Sequence, residues 1–313
     1  MSVGVIGHVM DPSISDAVAM AGAAEAAGAD WMGFADAFWW RDVWMELAII
    51  AQHTHTLEIG PAMTNPYLRH RFHTVAALAT LQDLAGERVF VGIAAGGSEV
   101  SGAAHISRAD APARVAELIE VIRAVSNGRP LDGASGRRLD VALAPLPVLV
   151  AGRGDEMLRV GGALADRVLL WSVPDTDLDR SVGLITQAAE GRPQPPELVW
   201  APLVAHDEAT RTSILNAAVY ASINTNRAIR SEWGLDGDLV ETIRRALVSG
   251  GTRAAIDLVP AAALADLVID DPDPDSVATR GRAIGATSIV VPCYSSDTVG
   301  AHIAWAREVE TRL

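Results

Sequence analysis

Lysine is missing from this 313-residue chain, and all 25 of its basic residues are arginine. Without an ε-amino group no Schiff base can form with substrate or with pyridoxal, so Schiff-base aldolases and pyridoxal enzymes are excluded. Cysteine is almost as scarce. Cys293 stands alone, which rules out an intramolecular disulfide, an iron–sulfur cluster and a cysteine-based zinc site, and leaves burial after a strand as its expected role. Positive charge is in deficit: 25 basic against 39 acidic residues give a formal net charge of -14. No basic stripe offsets that charge, so nucleic acid is not an expected partner. Nor is a membrane, because no uninterrupted apolar run reaches the roughly 18 residues a spanning helix needs. The opening MSVGVIGHV enters a strand directly, without the basic region and cleavage site of a signal peptide, and a cytoplasmic location is expected. No Gly/Ser-rich or Pro-rich linker divides the chain; segments 127–138 and 190–196 are short enough to be surface loops. One domain spanning residues 1–313 is therefore expected.

What is present is a regular alternation. Short runs of Val, Ile, Leu and Ala at 3–9, 31–36, 57–64, 88–95, 148–151, 168–173, 198–205 and 288–292 read as strands. They are continuous rather than alternating, the pattern of parallel strands buried on both faces. Helical patterns fall between them, at 13–27, 41–53, 72–85, 107–125, 155–165, 177–189 and 296–312. Ser13 with Asp16, and Ser107 with Asp110, stand where an N-cap and a first-turn acid belong. Eight such units predict an α/β fold, a (β/α)8 TIM barrel. Residues 207–284 hold several helices where one would suffice, which predicts a helical insertion before the last strand, walling the mouth.

In such a barrel the chemistry sits at the carboxyl ends of the strands. That rule selects His8; Asp36 with Phe38, Trp39 and Trp40; Thr64 and Asn65; Gly96, Gly97, Ser98 and Glu99; Gly152, Arg153, Gly154 and Asp155; Trp171 and Ser172; and His206. The set is aromatic and small rather than rich in metal ligands. His53 and His55 form an H-x-H pair, but at a helix end on the opposite face; His70 and His73 lie on the correct side, where their spacing at a helix start suits solvated or substrate-facing groups equally well, so no metal is expected.

Two stretches carry more detail. In LEIGPAMTNPYLRH, residues 57–70, the strand loses bulk at Gly60, Pro61 and Ala62, and Pro61 cannot donate to a sheet ladder. A bulge and a slot for a ligand are one reading; an ordinary strand exit punctuated by Pro66 is the other. In AGRGDEMLRV, residues 151–160, a strand ends in Gly-Arg-Gly and a helix begins. Free N–H groups, the helix dipole and Arg153 suit a phosphate, whereas Asp155 and Glu156 in the first turn would compete with it.

The order IGPAMTNPYLRH, ATLQDLAGERVFVGIAAGG, PVLVAGRGDEMLRVGGALADRVLL resembles the bacterial-luciferase-like superfamily over nearly the whole chain. Within it the likeness is to the coenzyme F420-dependent branch, and there to the methylenetetrahydromethanopterin reductases. The resemblance implies a flavin or 5-deazaflavin lying across the strand ends, backed by a non-prolyl cis peptide that would fall at Ala62–Met63. It also implies cofactor contacts from Ala62, Met63, Thr64, Asn65, Gly96 and Gly97, and a phosphate site at Gly152, Arg153 and Gly154 with Trp171 and Ser172 nearby. Two positions depart from the branch: Asp36 is followed by Ala37 where many dehydrogenases of the branch carry histidine, and Gly97 stands where several relatives are acidic. Alcohol oxidation is therefore disfavoured.

The expectation from residues and resemblance together is a reductase, with reduced F420 as hydride donor and a C=N or C=C bond of a small molecule as acceptor. Asp36 or His8 supplies the proton, and Trp39 and Trp40 contact substrate, with Trp44 and Trp200 completing an apolar wall. A homodimer is expected. The alternatives are an FMN-dependent monooxygenase and a silent homologue that binds a ligand without turnover.

Overall fold

The fold is taken from a computed structural model that describes residues 1–7, 13–38, 40–97, 102–131, 135–206, 208–270 and 272–313. Eight parallel strands lie in the order β3-β2-β1-β10-β7-β6-β5-β4. They are β1 (Ser2–Gly7), β2 (Trp31–Phe34), β3 (Glu58–Pro61), β4 (Val91–Ala94), β5 (Val148–Ala151), β6 (Arg167–Trp171), β7 (Glu197–Ala201) and β10 (Ser288–Cys293). The bridges Ile59 to Val89 and Thr64 to Ile93 bring β3 back against β4 and close the barrel. Helices α1 (Ile14–Ala26), α2 (Val43–Ala51), α3 (Arg71–Ala85), α4 (Ala111–Ser126), α5 (Asp155–Leu164) and α6 (Asp175–Ala188) follow the first six strands.

The barrel interior is packed rather than hollow. Ile6, Trp31, Phe90, Leu149, Leu169 and Val290 fill it, and the Trp31 and Phe90 rings meet edge to face with centroids 5.4 Å apart. A larger cluster between the strands and the outer helices holds most of the buried apolar surface, including Leu47, Leu78, Ile119 and Ile303. Trp200 belongs to this outer cluster and packs over Gly281. It does not face the mouth, which corrects the expected apolar wall.

Residues after β7 build a second layer above one edge of the mouth. The long seventh strand read from sequence is broken at Pro202, which has no N–H for the ladder. Beyond it β8 (Leu203–Val204) leaves the barrel and pairs with β9 (Val268–Ile269). Helices α7 (Glu208–Asn224), α8 (Arg227–Glu232), α9 (Gly237–Ala255) and α10 (Ala261–Leu267) lie between them, around their own core of Ile214, Val219, Trp233 and Ile243. Asp266 ties this layer to the barrel rim by accepting from the backbone N–H and hydroxyl of Thr176, at 3.0 and 2.6 Å, and from the Trp233 indole at 3.0 Å. Helix α11 (Pro274–Ala283) returns to β10, and α12 (Ser296–Glu310) closes the ring. Among the described residues no helix is long and apolar enough to cross a membrane.

Local signals behave unevenly. Ser13 and Asp16 form the expected capping box at α1. The Ser107–Asp110 pair does not: α4 begins at Ala111, and its N-cap Asp110 makes no capping bond. The reason is competition, because the Asp110 carboxylate accepts from the Tyr67 hydroxyl at 2.9 Å and from Arg114 at 2.8 Å.

Candidate functional site

The rim at the carboxyl ends of the strands gathers Asp36, Met63, Thr64, Asn65, Gly96, Arg153, Trp171 and Ser172. His8, Trp39, Ser98 and Glu99 lie outside the described residues. Trp40 and Phe38 are exposed on the loop after β2. His206 turns away from the mouth, stacking on His302 of α12 with ring centroids 4.7 Å apart and meeting Trp305 edge-on.

The third strand is where the sequence reading and the structure differ most. Between the two closing bridges five steps on β3 face four on β4, so the chain carries one extra residue there, as a bulge requires. The Ala62–Met63 peptide is cis. The small residues, however, do not leave an open slot. A methyl group on Gly60 would lie 2.2 Å from the Phe90 carbonyl oxygen, and one on Gly33 would lie 2.4 Å from Ala62 Cβ. Across the strand, the side of Gly92 is taken by Met63 Sδ and the Pro61 carbonyl, at 2.6 and 2.5 Å from where a Cβ would stand. Glycine is needed here for strand-to-strand contact.

Thr64 and Asn65 are both committed. Thr64 donates its hydroxyl to Asp36 Oδ2 at 2.7 Å. Asn65 Oδ1 accepts from the backbone N–H groups of Tyr67 and Leu68, at 3.0 and 3.1 Å, which leaves its amide nitrogen as the group able to donate to a ligand. Gly96 has a left-handed φ of 80° and offers its carbonyl to Arg108 at 2.5 Å.

Asp36 follows β2, half-buried. Burial pushes its carboxyl above the ordinary aspartate range, while the Thr64 hydroxyl and the Arg69 guanidinium pull the other way. Asp42 opposes Arg69 in this, though it also pairs directly with it. Asp42 is the N-cap of α2, accepting from Trp44 N at 3.0 Å and Met45 N at 3.2 Å. Asp42, Trp44 and Arg69 as an environment for Asp36 were not read from the sequence; the Asp-x-x cap before an apolar run was the signal available for the first two.

The start of α5 has the form of an anion site. Gly154 is its N-cap and makes no side-chain bond. The first-turn acids that would compete are occupied elsewhere: Asp155 pairs with Arg180 at 2.7 Å and Glu156 with Arg159 at 2.7 Å. Arg153 has no ion pair among the described residues, and the protein packed around its guanidinium pulls its pKa down to about 10 even though part of the side chain still meets solvent. A positive charge kept without a carboxylate, beside open helix N–H groups, is suited to an anionic ligand. Gly152 and Gly154 differ in what they permit. A Cβ on Gly154 would meet nothing within 4 Å, whereas one on Gly152 would come within 2.6 Å of Met157 Cβ. Gly152 thus serves the packing of its own helix.

At the end of β6, Ser172 is buried and holds a left-handed φ of 48°, an uncommon conformation for a residue with a side chain. Trp171 beside it lines an apolar hollow with Leu203, Ala217, Pro292 and Tyr294, between the rim and the helical layer. Burial raises the Tyr294 hydroxyl well above its ordinary value and the Cys293 thiol to about 12, so both stay protonated at neutral pH. No cluster of three or more potential metal ligands occurs among the described residues.

Comparison with known proteins places this geometry in a family. The chain is 30% identical over 153 residues to 5,10-methylenetetrahydromethanopterin reductase of Archaeoglobus fulgidus, covering 47% of this chain and 46% of that one. It is 26% identical over 182 residues to the enzyme of that name from Methanolobus tindarius, covering 56% of each. These matches span about half the length of either relative. Among solved structures, the coenzyme F420 dependent tetrahydromethanopterin reductase from Methanopyrus kandleri superposes with a TM-score of 0.81, over 98% of both chains at 20% identity. An F420-dependent secondary alcohol dehydrogenase gives 0.72 over 98% of this chain and 99% of that one, at 15% identity. Both share the barrel fold. The family profile described as luciferase-like monooxygenase matches residues 2–288, and the chain belongs to that family.

Proposed function

We propose that this protein is an F420-dependent oxidoreductase acting as a reductase on a C=N or C=C bond of a small organic molecule. The observation that carries the reading is Arg153: a half-buried arginine, without a carboxylate partner among the described residues, at the uncapped start of α5 on the same rim as Asp36. The relatives named above as F420-dependent support the choice of cofactor.

Bound, reduced F420 would supply the hydride. The residues of this chain would do the rest. Arg153, Gly154 and the first-turn N–H groups of α5 hold the phosphate of the cofactor tail, with Ser172 and Trp171 beside it. The segment from Ala62 to Asn65 backs the ring, and the Asn65 amide donates to it. Gly96 and Gly97 leave the rim low enough for a flat group. Asp36, protonated when substrate binds, gives its proton to the atom next to the carbon that accepts hydride, so that one hydride and one proton are added across the double bond. The carboxylate is then reprotonated from water. Because hydride transfer needs the two carbons held roughly 3 to 3.5 Å apart, most of the rate enhancement comes from positioning.

The test is anaerobic titration of the purified protein with F420 and, separately, with FMN, followed by admission of oxygen to each reduced complex. Tight F420 binding with slow reoxidation supports the proposal. Binding of FMN alone, with rapid oxygen consumption, would replace it with the monooxygenase chemistry of the family's name. Failure to bind either at high micromolar concentration would make the chain a silent homologue.

A further inference from the structure

We propose that the Trp44 indole N–H and the Thr64 hydroxyl form a two-donor cradle for Asp36, both acting as positioning residues that favour the carboxylate left behind when its proton goes to substrate. The inference rests on the role given to Asp36 above and adds the groups that would tune it.

Thr64 is fully buried, and its hydroxyl reaches Asp36 Oδ2 at 2.7 Å. Its direction is fixed from both sides of the strand end, since Thr64 N donates to the Gly92 carbonyl at 2.9 Å and Ala94 N donates to the Thr64 carbonyl at 3.0 Å. Trp44 is 8% exposed, and its Nε1 is buried with no hydrogen-bond acceptor. A buried donor without an acceptor is costly, and such groups are rare in folded proteins. Trp44 acts on the Asp36 carboxyl in the direction of its charged form, as the smallest of the influences on that group, and no hydrogen bond between the two is completed. The ring is packed into the buried core. Its backbone N–H is held by the Asp42 cap at 3.0 Å, and the Arg69 guanidinium stands 5.9 Å from its centroid.

The physical logic follows from the difference between the two forms of Asp36. A neutral carboxyl group is satisfied by Thr64 and draws the indole weakly. A carboxylate has further lone pairs and a full charge, and a charge-assisted bond from Nε1 then becomes favourable. A donor that engages only as charge develops stabilises the proton-transfer transition state more than the ground state. Among the described residues the charges facing Asp36 are Arg69 and Asp42, which act in opposite directions, so Thr64 is the largest influence set against burial and Trp44 adds to it.

The experiment is carbon-13 NMR of the full-length protein carrying carboxyl-labelled aspartate, titrated without cofactor, with Asp36→Asn used to assign the signal. Trp44→Phe and Thr64→Val are each expected to raise the Asp36 midpoint by about one pH unit, a tenfold change in the proton-binding constant, with Thr64→Ser restoring the wild-type value. In the unmodified protein the Trp44 indole nitrogen-15 shift is expected to titrate with the Asp36 midpoint, which needs no variant to fold. A Trp44 signal indifferent to that midpoint, or an Asp36 midpoint unmoved in both variants, overturns the cradle. The proton-donor role is read separately, from hydride transfer by the Asp36→Asn protein, so shifted midpoints with full activity in that variant would retain the cradle and remove the role.

Discussion

Arg180 draws the Asp155 carboxylate to 2.7 Å while also pairing with Asp177 at 2.6 Å. Asp177 is buried, so the arginine is anchored there and reaches across from α6 to the first turn of α5. The consequence is that Asp155, which in sequence looks like a competitor for a bound phosphate, has its charge answered by a neighbouring helix. Asp155→Asn is accordingly expected to change the F420 dissociation constant by less than about twofold. Had the carboxylate been claiming the helix dipole, its removal would tighten binding by about two- to fivefold, the equivalent of 0.3 to 1 kcal/mol. Fluorescence titration of F420 against both proteins separates the outcomes.

The two glycines flanking Arg153 should part company under substitution. Gly154→Val puts its side chain into open space at the helix start and is expected to weaken F420 binding at least tenfold, while the poorer N-cap costs no more than about 1 kcal/mol of stability. Gly152→Ala forces a methyl group to 2.6 Å from Met157 Cβ and is expected to cost about 1 to 3 kcal/mol of stability instead. Thermal unfolding paired with the same titration checks both.

Glu25 makes the protein sensitive to acid. Its carboxylate accepts from the backbone N–H groups of His55, Thr56 and Leu57 at 2.7, 2.6 and 2.9 Å. Burial works against the charged form, but these bonds together outweigh it and hold the pKa down to about 2. A depressed pKa contributes stability that is present above the unfolded value near 4.5 and lost as pH falls toward 2. Glu25→Gln is therefore expected to cost about 1 kcal/mol at pH 7, after discounting for solvent screening, and nothing near pH 2. Urea melts at the two pH values give the comparison.

Glu46 acts in the opposite direction. It is 7% exposed on α2, and burial raises its pKa to about 7, with Arg41 offsetting only part. A raised carboxyl pKa favours the folded state fully below the unfolded value near 4.5, and the advantage is lost as pH rises through 7. Glu46→Gln should stabilise the protein by on the order of 1 to 2 kcal/mol at pH 8, allowing for partial contact with water, and by little at pH 4. Equal melting shifts at both pH values would contradict the assignment.

The barrel was legible in the chain because parallel strands buried on both faces must be apolar throughout, and the residues at their carboxyl ends follow from the architecture. Val148–Ala151 is the plainest instance, where the apolar run and the strand coincide. The glycines of β3 and β4 were legible as small but not as to purpose. Whether Gly60 makes room for a ligand or for Phe90 depends on which atoms stand opposite, and strand register across β3 and β4 sets that.

The order of residues alone thus settled that lysine chemistry is absent, that the fold is a (β/α)8 barrel, and that Asp36 and Arg153 stand at its rim. Those outcomes depend on composition and on periodicity, which are properties of neighbours in the chain. Tertiary structure decided what each rim group is free to do: Thr64 and Asn65 were already engaged, Asp155 was neutralised from another helix, and Asp36 was joined to the Thr64 hydroxyl. Charge pairing and hydrogen bonding act over a few ångströms between segments distant in sequence, so only the folded chain could assign them.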